Sequence, residues 1–157
     1  MQIDTLTAQT ALATSLDTCL ATLSRDVDGP VQALYADLAA QRIAPDAPLV
    51  FIYRDLDGDP QRRFTLEVAQ PLEEADLATY DGALRAVTLT PLRCVQREHL
   101  GDLEDMGSRT YAPLFADIAA AGLTPGAQCR EVYSVYNGPH SADNRTLVQV
   151  EVQAAGG

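Results

Sequence analysis

The sequence predicts an α+β fold in which a β-α-β-β module is written twice, with two main helices on an antiparallel sheet. Three observations predict it. A segment recurs at a fixed offset of 80 residues: Leu34-Tyr35-Ala36-Asp37-Leu38-Ala39-Ala40 aligns with Leu114-Phe115-Ala116-Asp117-Ile118-Ala119-Ala120. The register continues without a gap through Pro45/Pro125, Ala47/Ala127 and Tyr53/Tyr133, beyond anything an alanine-rich helix explains alone. In each half a helical pattern is followed by a strand, a turn and a returning strand.

Taken in order, Ile3 to Leu20 is the extended run before the first helix. That helix is expected to begin near Asp28-Gly29-Pro30, where Asp caps and Pro suits the first turn. Val31, Leu34, Tyr35, Leu38 and Ile43 approximate one apolar face. Pro45 stops continuation, Leu49 to Arg54 reads as a strand, and Asp57-Gly58-Asp59-Pro60 as a hairpin turn. Phe64, Leu66 and Val68 alternate in the returning strand. Leu72 to Asp81, with Glu73, Glu74 and Asp76, is an acidic connector. Ala83 to Thr90 and Pro91 to Arg97 are extended runs before the second helix, which Ser108 is expected to cap. Pro125 follows that helix, Cys129 to Tyr136 is the next strand, Asn137-Gly138-Pro139 the turn, and Val148, Val150 and Val152 mark the last strand. The chain is thus read as a single domain over 1–157, with repeats at about 3–71 and 82–153 joined by a connector at about 72–81. Halves related in this way by a pseudo-two-fold axis are expected to leave a ligand groove along their seam.

Composition excludes several functions. The 157 residues carry 22 acidic and 11 basic side chains, a net charge of −11, so binding nucleic acid through the chain's own surface is disfavoured. Every basic residue is Arg, which removes Schiff-base chemistry, a lysine base and the GK[ST] phosphate loop. Cys19, Cys94 and Cys129 form no CxxC pair, and with His99 and His140 as the only histidines no metal centre and no cofactor is expected. No role is assigned to the three thiols. The N-terminal MQIDTLTAQT lacks a basic stretch and an apolar core, no run reaches membrane-spanning length, and a cytoplasmic location is expected.

Catalytic signatures such as GxSxG, HExxH and GxGxxG are missing. Asp55-Leu56-Asp57-Gly58-Asp59 imitates a calcium loop, but Pro60 and Leu66 stand where the loop needs Gly and Glu, so it reads as a turn. Asp102, Glu104 and Asp105 precede a helix, where they complement its dipole. One carboxylate stands apart. Glu131 occupies the position of Phe51 under the 80-residue offset, and alternation puts it on a face with Cys129 and Tyr133, matching Leu49, Phe51 and Tyr53 in the first half. A Glu on such a face lies at an edge, pairs with Arg93, Arg97 or Arg130, or lines a cavity. In a cavity it would favour a cationic guest, with tyrosine faces adding cation–π attraction.

The run Arg97-Glu98-His99-Leu100-Gly101, then Tyr111-Ala112-Pro113-Leu114-Phe115, then Arg130-Glu131-Val132-Tyr133, resembles the GyrI-like effector-binding domain. That family includes the bacterial gyrase inhibitory protein and the drug-binding domains of AraC-type and MerR-type multidrug regulators. Pro48 to Arg54 and Glu67-Val68-Ala69-Gln70-Pro71 match it more loosely, and the similarity covers roughly residues 5–153. The resemblance implies an SHS2-type duplication and a small-molecule site for hydrophobic aromatic, cationic compounds, with Glu131 as counter-charge and Tyr111, Tyr133, Phe51 and Tyr53 as aromatic lining. His99 and Gly101 match the family's H-x-G. His99 joins the candidate ligand set, against a simpler reading in which its imidazole satisfies strand-end backbone and Gly101 lets the chain turn. Leu103 replaces an aromatic the family often has, and the chain has no Trp. Binding is favoured over catalysis. The alternative enzyme would hydrolyse strained cyclopropane-type electrophiles through Glu131 with Tyr111 or Tyr133. A third reading is a regulator acting on a protein partner, a gyrase or a transcription regulator, without direct contact with nucleic acid or membrane.

Overall fold

The computed structural model describes residues 1–154. It divides into two compact units, Ala8–Thr90 and Met1–Thr7 together with the chain from Pro91 onward. All strand pairings within the units are antiparallel, and each unit carries one main helix, so the chain is α+β.

The first unit contains strand β2 (Gln9–Thr18), helix α1 (Leu23–Ala40), β3 (Leu49–Arg54), β4 (Phe64–Pro71), the short helix α2 (Glu74–Thr79) and β5 (Arg85–Leu89), with strand order β3-β4-β2-β5. The second contains β1 (Ile3–Leu6), β6 (Leu92–Leu100), α3 (Ala112–Ala120), β7 (Leu123–Val135) and β8 (Arg145–Ala154), in the order β1-β6-β8-β7. The run Ile3 to Leu20 is therefore two strands. Ile3–Leu6 pairs with Leu92–Val95, while β2 pairs with β4 and β5. Alternation marks each segment as a strand, but the choice of partner is made by edges distant in sequence.

The duplication is visible in register. Phe51 faces Val68 across β3 and β4, and Glu131 faces Val148 across β7 and β8, the same 80-residue offset on both strands. Equivalent helix positions are buried, Leu34 and Leu38 in α1 and Leu114 and Ile118 in α3. Both helices end on a residue in the left-handed region, Arg42 at φ 58° and Gly122 at φ 73°. Their N–H groups reach back to Ala39 and Ala119, closing the last turn before either proline is reached.

The helix starts differ from the sequence expectation. α1 begins at Leu23, ahead of Asp28, and holds Pro30 inside it. Proline removes one backbone bond there, yet the helix is secured by the burial of Leu34 and Leu38 and by a hydroxyl network at its start. Thr22 and Thr18 donate to the Asp26 carboxylate at 2.6 and 2.9 Å, holding that carboxyl below its usual range. In the second unit Ser108 does not cap α3, whose start has no side-chain cap; Asp102 caps the 3-10 turn ahead of it, its Oδ1 accepting from Glu104 N at 2.9 Å. A 3-10 turn (Leu103–Asp105) and a wide π-type turn (Gly107–Tyr111) then lead into α3. β7 begins at Leu123, six residues before Cys129, with its register shifting between Pro125 and Cys129.

The connector is clasped to α1. Tyr80 donates to Asp37 Oδ2 at 2.5 Å and accepts from Leu84 N at 2.9 Å. A Cβ at Gly82 would collide with the Tyr80 hydroxyl, so glycine is required by this close approach.

Under α3 lie Val95, Met106, Leu114, Ile118, Val148, Val150 and Val152, with Tyr111 and Cys129 packed against their edge. Ile118 is fully buried. Ile118→Ala is expected to cost about 2–5 kcal/mol in chemical denaturation, while Ala119→Ser on the exposed side of the same helix stays within about 0.5 kcal/mol.

Candidate functional site

The site is built on the helix-side face of the second unit. Strand pairing sets His99, Thr146 and Tyr133 in one row across β6, β8 and β7, with Glu131 and Val148 in the next. Glu131 is 6% exposed, and each of its carboxylate oxygens accepts a phenol proton: Oε2 from Tyr111 at 2.5 Å and Oε1 from Tyr133 at 2.6 Å. Tyr133 reaches it from two residues along the same strand, as alternation requires. Tyr111 reaches it from the end of the wide turn before α3. Two charge-assisted bonds of this length orient the carboxylate and offset part of its desolvation.

Aromatic rings extend the site on both sides. Tyr111 stacks on Phe115 one helical turn later, with centroids 6.1 Å apart and planes at 21°. Tyr133 meets Tyr136 edge to face at 6.2 Å. Phe115 and Tyr136 are exposed at 39% and 54%, so the rings adjoining the buried carboxylate open to solvent. Burial, reinforced by the Glu131 charge, pushes the Tyr111 phenol well above its ordinary range, so it keeps its proton and remains a donor. The Cys129 thiol on the same face is pushed up to about 12 by burial first and the Glu131 charge second, and it stays protonated.

His99 lies beneath the site and is 1% exposed. Its Nε2 is 2.8 Å from the Asp102 carbonyl, which only accepts, so Nε2 donates. Nδ1 is 2.7 Å from Thr110 Oγ1. Both ring nitrogens thus bind this chain's own groups, as in the reading that makes the imidazole a strand-end fixture. Gly101 has φ 94° and sends its N–H to Asn144 O, turning the chain toward Asp102. Next in the row, Thr146 is fully buried, and among the described residues its Oγ1 is the buried side-chain oxygen that has no hydrogen-bond partner.

Of the arginines weighed as partners for Glu131, Arg97 lies 3.8 Å from Asp117, and Arg130 alternates to the opposite face, where its Nε donates to Gln128 at 2.5 Å. Phe51 and Tyr53 are buried in β3 of the first unit, Tyr53 packing on Phe64 with centroids 5.8 Å apart. Sequence reasoning did not single out Phe115 or Thr110 for the site. The four-residue spacing from Tyr111 was the available signal for Phe115, whereas Thr110 had none.

At the surface end, Asp102, Glu104 and His140 bring ligand-type atoms within 4.8 Å of one another. The group is exposed and already tied, with His140 Nδ1 3.1 Å from Asp102. Asp102 is held below the usual carboxylate range by the Glu104 N–H and by His140, and His140 is raised by its bond to Asp102.

No protein family and no curated protein matches the chain by sequence. Solved structures do match it in shape. The EcmrR C-terminal domain superposes with a TM-score of 0.73 at 12% identity, over 98% of this chain and 97% of that one. EcmrR in its DNA complex gives the same score at 13% identity, and this chain spans 57% of it. SAV2435 bound to tetraphenylphosphonium matches over 97% of this chain and 93% of its own, with a TM-score of 0.61 and 16% identity. A hydrolase encoded by lin2189 from Listeria innocua matches over 97% and 91%, at 0.65 and 16%. At these identities the likeness establishes the fold.

The Asp102–His140 pair has a defined pH window. His140 contributes fully below the ordinary imidazole range, and its contribution is lost as pH rises through the raised folded value. Asp102 contributes above the ordinary carboxylate range and loses its share as pH falls through the lowered folded value. In an NMR titration His140 is expected to titrate above 6.5 and to move down in Asp102→Asn. An unchanged His140 in that variant contradicts the pairing.

Proposed function

We propose that this chain is a small-molecule-binding domain of the GyrI-like type, and that its guest is a hydrophobic aromatic cation held by Glu131. The observation that carries the reading is the Glu131 carboxylate, nearly buried on an apolar sheet face, oriented by two phenols and bordered by exposed aromatic rings. A carboxylate in such surroundings attracts a weakly hydrated cation more strongly than water does, because little solvent screens the pair. Aromatic faces add cation–π contact of roughly 0.5–2 kcal/mol each. The Thr146 hydroxyl offers a hydrogen-bonding position beside Tyr133. SAV2435, which shares the fold, is bound to such a cation, tetraphenylphosphonium.

The aromatic-lining role expected of Phe51 and Tyr53 remains part of this proposal, as does the division into two repeats of one domain. With a net charge of −11, any regulatory output is assigned to a protein partner rather than to direct DNA contact. The cytoplasmic location expected from the sequence remains part of this proposal; no helix among the described residues is long and apolar enough to cross a membrane.

A catalytic version has one specific point in its favour. Tyr111 holds its proton against a carboxylate 2.5 Å away, a donor–base pair of the kind that hydrolysis of a strained electrophile uses. A fold neighbour is described as a hydrolase. Catalysed consumption of a cyclopropane-type electrophile beyond one equivalent, lost in Glu131→Gln, would establish this reading over simple binding.

The first test is a thermal-shift titration with tetraphenylphosphonium and with triphenylphosphine oxide, a neutral aromatic of related shape. At about 100 times its dissociation constant the cation is expected to add about 2.7 kcal/mol, raising the melting point by several degrees. Glu131→Gln should abolish the shift while keeping the fold, and the neutral compound should stabilise weakly. No shift with either compound in the wild type overturns the cation reading. A partner complex insensitive to Glu131→Gln would favour a protein–protein role.

A further inference from the structure

The two units offer an internal control for the site. Equivalent positions are given by the repeat and by matching strand register; Tyr133 keeps a tyrosine counterpart in Tyr53, while other polar groups around Glu131 have apolar counterparts in the first unit. Phe51 stands for Glu131, and the first helix runs on without a wide turn through Pro30 and Val31, the residues 80 positions before Thr110 and Tyr111. On the strands, Leu16 faces Leu66 where His99 faces Thr146. The unit without the carboxylate also lacks the imidazole, the hydroxyls and the phenol from the helix. His99 and Thr110 therefore accompany Glu131 and Tyr111 rather than the fold, since the first unit builds the same strand–helix–strand frame without them.

The connection between them is geometric. Tyr111 is the last residue of the π-type turn, and Thr110 immediately before it is 2% exposed. A wide turn of this kind is rare and opens with Gly107, a poor helix former, so it needs an outside hold. His99 supplies one: Nδ1 on Thr110 Oγ1 at 2.7 Å and Nε2 on the Asp102 carbonyl at 2.8 Å pin both ends of the segment that delivers Tyr111. The extra residue in the turn rotates the next helical residues by about 100° relative to a continuous helix. That rotation decides which side chain meets Glu131.

We propose that His99 is a positioning residue for the Glu131 site, acting through Thr110 and the wide turn to seat the Tyr111 hydroxyl on the carboxylate. This deepens the binding reading above and rests on it only for the ligand measurement. His99 touches no guest. Its effect is to hold one wall of the site ready, so that binding does not have to order Tyr111 and Phe115.

The test replaces His99 with Leu, the residue its counterpart Leu16 already is, and Thr110 with Val, which exchanges the hydroxyl for a methyl group of similar size. Tyr111 ionisation is followed in the absence of any ligand by NMR of ring-labelled tyrosine, assigned with Tyr111→Phe. In both variants the Tyr111 ionisation constant is expected to rise about tenfold or more as the phenol leaves the carboxylate. A packing variant of comparable stability, Ile118→Val, should leave it unchanged, which separates positioning from mere loss of stability. Tetraphenylphosphonium affinity should fall about tenfold in the two positioning variants and stay near wild type in Ile118→Val. If His99→Leu does not fold, Thr110→Val alone decides. An unaltered Tyr111 titration in folded Thr110→Val overturns the proposal. If the wild type does not bind tetraphenylphosphonium, the cation reading fails while the Tyr111 titration still decides the role of His99.

Discussion

A carboxylate placed on the apolar face of a sheet has to be satisfied or it destabilises the unit that contains it, because desolvating a charge is among the largest costs in a fold. In this protein the requirement falls on Glu131, and the surrounding structure is arranged to meet it. Tyr133 is supplied by the strand's own alternation. Tyr111 has to come from another element, and this explains why the second helix is entered through a 3-10 turn and a wide turn instead of a plain cap.

The same arrangement accounts for the asymmetry of a duplicated fold. The two units share helix ends, buried helix positions and strand register, so packing was retained in both. They differ where polar chemistry would require support. With Phe51 in place of the carboxylate, that position needs no phenol and no clamped turn, and α1 starts early at Leu23 and continues through Pro30. One copy has Phe51 on its sheet face, and the other carries a buried charge there with its attendant hydrogen bonds.

That charge is linked to the surface through a short line of groups. His140 pairs with the Asp102 side chain, the Asp102 carbonyl accepts from His99, His99 holds Thr110, and Tyr111 follows in the chain to reach Glu131. These hydrogen bonds, joined through the backbone at Asp102 and Thr110–Tyr111, span from an exposed imidazole to a buried carboxylate. Fully satisfied polar networks of this type rigidify what they connect. A rigid wall would suit the aromatic guest proposed for this site, since ordering side chains at the moment of binding subtracts from affinity.

Periodic and repeated features were legible in the residues alone. The 80-residue offset, the strands Leu49 to Arg54 and Phe64 to Val68, and the shared face of Glu131 and Tyr133 come from spacing, because strand geometry fixes side-chain direction at every second residue. Contacts between remote parts of the chain set the rest. Ile3–Leu6 joined the second unit because strand edges choose their neighbours across about ninety residues. Asp102 caps a 3-10 turn ahead of the helix that Ser108 was expected to cap, and His99 came to rest on Thr110, because a turn is set by hydrogen bonds that only the folded backbone brings within reach. Thr110 illustrates the limit: one threonine among many in the sequence, it acquires a role only where a strand end and a helix entrance meet.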